Sequence, residues 1–216
     1  MIIQPRAARL IELIDPNLSE AWLMLTAIFL TILAVVFRML SSSFQLWNFA
    51  PLGAVSLFAG SRLPRRWAWV VPVAAMAISD FLLDQDRYRP LFELSRWTIY
   101  ATFAAVTLLG PLANRPKLGR WRLPVLALTG STVFFLTSNL AVWGEGRFYP
   151  MTVSGLVSCY VAGIPFVAKT VAADLLGTAL LFGLAPLFEQ ATQRWTRPRL
   201  AEIRNEVHAS DPSRQA

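Results

Sequence analysis

Two aspartates, Asp80 and Asp84, lie four residues apart at the end of an apolar stretch. On a helix this spacing places both carboxylates on one face. Such a pair attracts a metal cation or a cationic ligand group, or it requires arginines close by. The nearest arginines in sequence are Arg87 and Arg89. A ligand site and a plain ion-pair network both remain open.

A second polar stripe consists of Glu93, Arg96, Trp97 and Tyr100, which follow one another at helical spacing. Because a stripe of this kind is costly in lipid, we expect it to face protein. It would contribute Arg96 and Tyr100 to a binding site. The alternative is an intrahelical pair of Glu93 with Arg96, flanked by aromatic side chains that favour the membrane interface.

Asn139 and Trp143 lie one helical turn apart near the end of another apolar stretch. An amide beside an indole could hold a planar polar ligand by hydrogen bonding and stacking. The alternative is an interhelical hydrogen bond from Asn139, with Trp143 as an interface anchor. The following loop, 144–150, carries Tyr149 and could cover the site as a lid.

Asp174 lies about seven residues inside the last apolar stretch and shares a helix face with Thr170 and Thr178. A carboxylate at this depth needs a partner, and we expect Arg38, Lys169 or Arg96 to pair with it. The pair could serve ligand binding or only structure.

Asn48 precedes Pro51 at the start of a further apolar stretch and could act as the N-cap of its helix. A helix amino terminus in this position would favour an anionic group. The predicted binding residues are therefore Asn48, Asp80, Asp84, Arg96, Tyr100, Asn139, Trp143, Tyr149 and Asp174.

Enzymatic chemistry has little support in the sequence. The apolar stretches contain no histidine, and the GxSxG, HExxH and GxxxxGK[ST] motifs are missing. Cys159 and His208 are the only residues of their types, so the chain itself cannot supply a disulfide or a zinc cluster. We expect neither catalysis nor a cofactor.

The elements that position these residues are membrane helices. The 216 residues are 55% hydrophobic and only 15% charged, which is too apolar for a soluble domain of this length. In lipid every backbone polar group must be paired internally, so long apolar segments form helices. The net charge of +7 comes from short blocks between these segments, which argues against nucleic acid binding.

The expected fold is an all-α bundle of six transmembrane helices, with an interfacial or re-entrant helix at 151–166 between the fifth and sixth spans. A span needs about 20 mostly apolar residues. This rule selects 21–40, 47–63, 67–83, 91–109, 123–143 and 167–188. A cytoplasmic, partly amphipathic lead-in (1–20) precedes the bundle of 21–188, and a polar cytoplasmic tail (189–216) follows it. Seven spans are the second choice.

Lys and Arg are enriched in cytoplasmic loops, so their distribution predicts the orientation. With six spans and the amino terminus in the cytoplasm, fourteen of the 20 basic residues fall on the cytoplasmic side. Both termini are then cytoplasmic, and nearly all of the polar candidates lie in the outer half of the bundle.

Several sequence runs resemble an uncharacterised family of bacterial six-helix membrane proteins. They are NFAPLGAVSLFAG, VPVAAMAISD, FFLTSNLAVW and YPMTVSGLVSCYVAGIPF, followed by the segment around Asp174, and together they cover roughly residues 45–185. That family is remotely similar to the S components of energy-coupling-factor transporters, which capture vitamins. The resemblance implies location in the bacterial inner membrane.

It also implies a small vitamin-like ligand taken from the outer face, and a transmembrane coupling subunit with ATPases as partner. One feature departs from the S-component pattern, because the first helix lacks its alanine-x-x-x-alanine docking motif.

Two functions therefore compete: a substrate-binding transport protein, and a non-catalytic structural or assembly subunit of a larger membrane complex. A cavity lined by Asn139, Trp143 and Asp174 would favour binding. A closed bundle with Asp174 fully paired would favour the structural role.

Overall fold

The computed structural model describes residues 16–44, 49–84, 93–119 and 121–209, but not the side chains of 16–22, 118 and 187–209. The described residues form helices and connections, with no strand among them. The α-helices are α1 (Pro16–Ser43), α2 (Leu52–Arg62), α3 (Arg65–Ala68), α4 (Val70–Leu83), α5 (Leu94–Val106), α6 (Gly110–Ala113), α7 (Arg122–Gly144) and α8 (Val153–Ala209).

Four helical segments in the described part of the chain are long and apolar enough to cross a membrane. They are Leu23–Ser43, Arg65–Leu83, Arg122–Gly144 and Val153–Pro186. They confirm the first, third and fifth predicted spans, and they make the chain a multi-pass membrane protein. Large apolar side chains cover their outer surfaces, as lipid contact requires; in α1 these include Leu25, Phe29 and Ile32.

The second predicted span, 47–63, does not form a full-length helix. α2 has 11 residues, which is about 16 Å or half of the hydrocarbon thickness. It is nevertheless the most enclosed element, since Ala54, Val55, Leu57 and Ala59 are at most 1% exposed. It contacts α1, α4, α5, α6, α7 and α8. Thus α2 is a central half-helix surrounded by the longer helices.

The fourth predicted span, 91–109, is irregular. α5 ends at Val106, a 3-10 turn covers Thr107–Leu109, and α6 continues to Ala113. Gly110 and Pro111 therefore do not end the helical path. Since Pro111 lies at the start of α6, its missing N–H costs no internal hydrogen bond.

The predicted interfacial or re-entrant helix at 151–166 is wrong as a separate element, because α8 runs without a break from Val153 through the sixth predicted span. Gly163 does not interrupt it; a Cβ there would collide with Asn139 and Phe135, so the glycine allows α7 to approach closely. The apolar part of α8 has 34 residues, or about 51 Å, and must tilt or project beyond a hydrocarbon layer of about 30 Å.

α2 crosses the α5–α6 junction at two glycines. A Cβ on Gly60 would collide with the carbonyl of Thr107, and one on Gly110 would collide with the backbone of Gly60. Nearby, the Asn114 side chain donates to the Ser61 carbonyl at 2.7 Å. These contacts bring the α2–α3 connection and the α6–α7 connection together at one end of the bundle. We call it the basic end, because it carries Arg62, Arg65, Arg66, Arg115, Lys117 and Arg122.

We predict that Gly110→Ala destabilises the bundle by about 1–3 kcal/mol, because the added methyl group meets backbone that cannot move aside easily. Gly183→Ala is the matched control. Its Cβ would have no neighbour within 4 Å, so the melting temperature should stay the same or rise slightly. Thermal unfolding in detergent, followed by tryptophan fluorescence, measures both. Equal melting temperatures for Gly110→Ala and the wild type would contradict the tight crossing.

Candidate functional site

Asp80 is the centre of an ionic network at the end of the bundle opposite the basic end. Its Oδ1 lies 2.8 Å from Nη1 of Arg38 on α1. Its Oδ2 accepts a hydrogen bond from the Tyr100 hydroxyl at 2.7 Å and lies 3.8 Å from Nη1 of Arg96 on α5. One α4 carboxylate therefore connects three helices.

Asp84 completes the network, since its Oδ2 accepts a hydrogen bond from Nη2 of Arg96 at 2.5 Å. Arg38 also donates to the hydroxyl of Ser79, which is fully buried. We call the set of Arg38, Asp80, Asp84, Arg96 and Tyr100 the ionic network. The predicted sharing of a face by the two aspartates is confirmed. Their cations are Arg38 and Arg96, whereas Arg87 and Arg89 lie outside the described residues.

The network is electrically balanced and partly accessible. It contains two arginines and two aspartates, whose side chains are between 11% and 22% exposed. Ion pairs at this depth avoid much of the cost of burying single charges. Because these side chains are partly exposed, a polar solute of suitable shape could reach them.

The connection between α7 and α8 packs against the start of α5. Arg147 pairs with Glu93 at 2.9 Å, and Glu145 accepts a hydrogen bond from the backbone N–H of Ser95 at 2.8 Å. Glu93 therefore pairs with Arg147 of the loop. The alternative predicted from the sequence, a pair of Glu93 with Arg96 within one helix, is wrong. The loop carries half-buried Tyr149 next to this end of the bundle, where a lid was predicted.

Asn139 and Trp143 belong to the seam between α7 and α8. Nδ2 of Asn139 donates to the Phe135 carbonyl at 2.8 Å, and the thiol of Cys159 points to the Asn139 carbonyl at 3.4 Å. Nε1 of Trp143 donates to the Pro150 carbonyl at 3.0 Å. The Asn139 amide therefore donates within α7, and its side-chain contact with α8 is one in which Oδ1 accepts from the Cys159 thiol at 3.7 Å. Both residues lie on a different pair of helices from the ionic network.

Asp174 is 1% exposed and caps the amino terminus of α2. Its Oδ1 accepts a hydrogen bond from the backbone N–H of Ala54 at 3.1 Å, and its Oδ2 accepts one from the Ser131 hydroxyl at 2.7 Å. A Cβ on Gly53 would collide with the carboxylate, so only glycine leaves room for it. The carboxylate therefore replaces the missing cap of the half-helix.

The predicted salt bridge of Asp174 is wrong. Arg38 and Arg96 pair with the aspartates of α4, and Lys169 is exposed on α8. The positive end of the α2 dipole and two neutral donors take the place of a cation. Asn48 lies outside the described residues; the residue that flanks α2 is Pro51, and no side chain within that helix caps it.

Sequence reasoning missed Gly53, Ala54 and Ser131 as partners of Asp174. None of the three carries a local sequence pattern that marks a polar contact. Arg38 and Arg96, two of the three partners expected for Asp174, pair with the α4 aspartates instead. The pairing of Arg38 with Asp80 could have been predicted from the sequence. In a six-span arrangement the carboxyl ends of α1 and α4 lie on the same side of the membrane.

We predict that Asp174→Ala lowers the free energy of unfolding by about 1–3 kcal/mol, because it leaves the Ala54 N–H and the Ser131 hydroxyl without their acceptor. Asp174→Asn keeps an acceptor oxygen and should lose less. Lys169→Ala, on the exposed face of the same helix, is the control and should melt like the wild type. A wild-type melting temperature for Asp174→Ala would refute the capping role.

Comparison with known proteins gives a family but no function. No curated protein and no solved structure matches the chain. A family model described as a family of unknown function (DUF6580) matches residues 17–198. This stretch includes α1 except its first residue, and most of α8. It also includes all residues of the ionic network and the Asp174 cap of α2. The chain therefore belongs to the DUF6580 family, whose function is unknown.

Proposed function

We propose that the chain is a non-catalytic membrane protein that captures a small polar metabolite at the ionic network, for uptake across the membrane. The observation that carries the proposal is the accessibility of four paired charges supplied by three helices. A binding site needs an entry path, and the partial exposure of these charges supplies one.

The chemistry of the network suits a ligand that carries both an acidic and a basic group. The guanidinium groups of Arg38 and Arg96 would take the anionic group, in the bidentate geometry that arginine favours. Asp80 and Asp84 would take the cationic group, and Tyr100 would donate to a further acceptor. Because the ligand would exchange one set of ion pairs for another, no net charge would be buried.

For the membrane arrangement we propose six passes with both termini in the cytoplasm. The four apolar helices would be joined by two shorter passes, α2 with the segment before it and the α5–α6 path. The basic end would lie in the cytoplasm and the ionic network at the outer face. The resemblance to S components adds the bacterial inner membrane and a coupling subunit with ATPases to the proposal, although α1 lacks the docking motif.

A structural or assembly role is the second candidate, and the environment of Asp174 favours it. This carboxylate is closed off from solvent and hydrogen-bonded by both oxygens. Asn139 and Trp143 bond to backbone within α7 and the following loop. These three residues therefore lie outside the proposed ligand contacts, which come from the ionic network. In the second candidate the network itself would only hold α1, α4 and α5 together.

Native mass spectrometry of the purified protein distinguishes the two roles. We expect a retained small molecule, and we expect its occupancy to fall about tenfold or more in Arg96→Gln and Asp80→Asn, because each loses a charge-assisted hydrogen bond. Glu93→Gln is the control, since its partner Arg147 lies outside the network. Unchanged occupancy in both network variants, or no retained molecule in the wild type, would support the structural role.

The orientation can be tested by labelling single cysteines with a membrane-impermeant maleimide. Cys159 is buried and should give little background. In intact cells we expect Phe148→Cys, 75% exposed beside the ionic network, to react. Lys117→Cys, at the basic end, should react only after the cells are opened. The reverse pattern would place the ionic network in the cytoplasm and exclude capture from outside.

A further inference from the structure

A cavity of about 310 Å³ lies at the basic end, far from the ionic network. α2, the α3–α4 segment and the α5–α6 path form its walls, and the lining residues include Gly60, Arg65, Trp69, Ala105, Thr107 and Leu108. Trp69 is 49% exposed and Leu108 is 66% exposed. The cavity therefore opens on the side of the bundle that lipid surrounds.

The lining is almost wholly apolar apart from Arg65. Within the described part of the chain Arg65 makes no hydrogen bond or ion pair, and its side chain is exposed. Its neighbour Arg62 differs, because that guanidinium lies over the ring of Phe58, 5.6 Å from its centre. Arg65 thus presents a free positive charge at the rim of an apolar groove.

We propose that this groove binds one acidic phospholipid of the surrounding leaflet, with its phosphate on Arg65 and part of an acyl chain between Trp69 and Leu108. Charge complementarity supports this occupant, since Arg62, Arg66, Arg115 and Lys117 surround the same end. Basic pockets between membrane helices bind acidic headgroups in this way, and tryptophan favours the headgroup depth. A water-soluble anion would leave the apolar walls exposed.

A lipid in this place would have a structural consequence. The groove lies directly over the crossing of Gly60 with Thr107, where α5 passes into its 3-10 turn. An acyl chain would fill the space beside that irregular segment and cover apolar surface that no described side chain covers. The lipid would therefore stabilise the part of the bundle that has the least regular hydrogen bonding.

The test is native mass spectrometry of the full chain from membranes containing equal amounts of phosphatidylglycerol and phosphatidylcholine. The wild type should retain one phosphatidylglycerol in preference to phosphatidylcholine. Arg65→Gln should reduce this retention about tenfold. Arg66→Gln removes the same charge one residue away, outside the groove, and should retain the lipid.

A second variant tests the groove without changing charge. Ala105→Trp should fill the groove and reduce lipid retention to a similar degree. Because Ala105 is exposed, we expect the variant to fold and to melt at a temperature close to that of the wild type. Equal losses in Arg65→Gln and Arg66→Gln would mean general attraction to a basic surface and would overturn the proposal. Wild-type retention in Arg65→Gln or in Ala105→Trp would overturn it as well.

Discussion

The bundle depends on the pairing of the first N–H groups of α2. A helix that begins inside the membrane leaves these groups without partners, and no water is available there to replace them. In the proposed six-pass arrangement Arg62 lies at the cytoplasmic interface, and Gly53, about 14 Å from it along the helix axis, lies near the middle of the hydrocarbon. Asp174 from α8 and Ser131 from α7 meet at this point. The capping requirement therefore fixes three helices relative to one another.

The ionic network and the basic end differ in how their charged side chains are arranged. In the ionic network every formal charge has a partner of the other sign, so the network carries no net charge. At the basic end cations follow one another within two short connections, without acidic residues between them. The first arrangement favours exchange with a ligand that carries both signs, and the second favours an anionic surface. Substrate capture and lipid binding, as proposed, thus depend on separate sites.

Hydropathy and charge are local properties, which is why the sequence predicted the all-α class, three spans and the shared face of Asp80 and Asp84. The continuity of α8 depends on a distant contact, because Gly163 acts as a packing residue only when Asn139 lies opposite. The cap of α2 joins Ala54 to a residue 120 positions later. Pairings of this kind follow from tertiary structure, and a single sequence carries no mark of them.

The difference between Asp174 and the α4 aspartates bears directly on where a ligand could bind. A ligand that displaced Asp174 would leave the Ala54 N–H buried without an acceptor, and its binding energy would have to offset that loss. A ligand at Asp80 and Asp84 would release Arg38 and Arg96, which could turn at once to the anionic group of the same molecule. The buried carboxylate of Asp174 is therefore best understood as part of the framework. Exchange of partners is feasible at the ionic network, whose side chains are partly exposed.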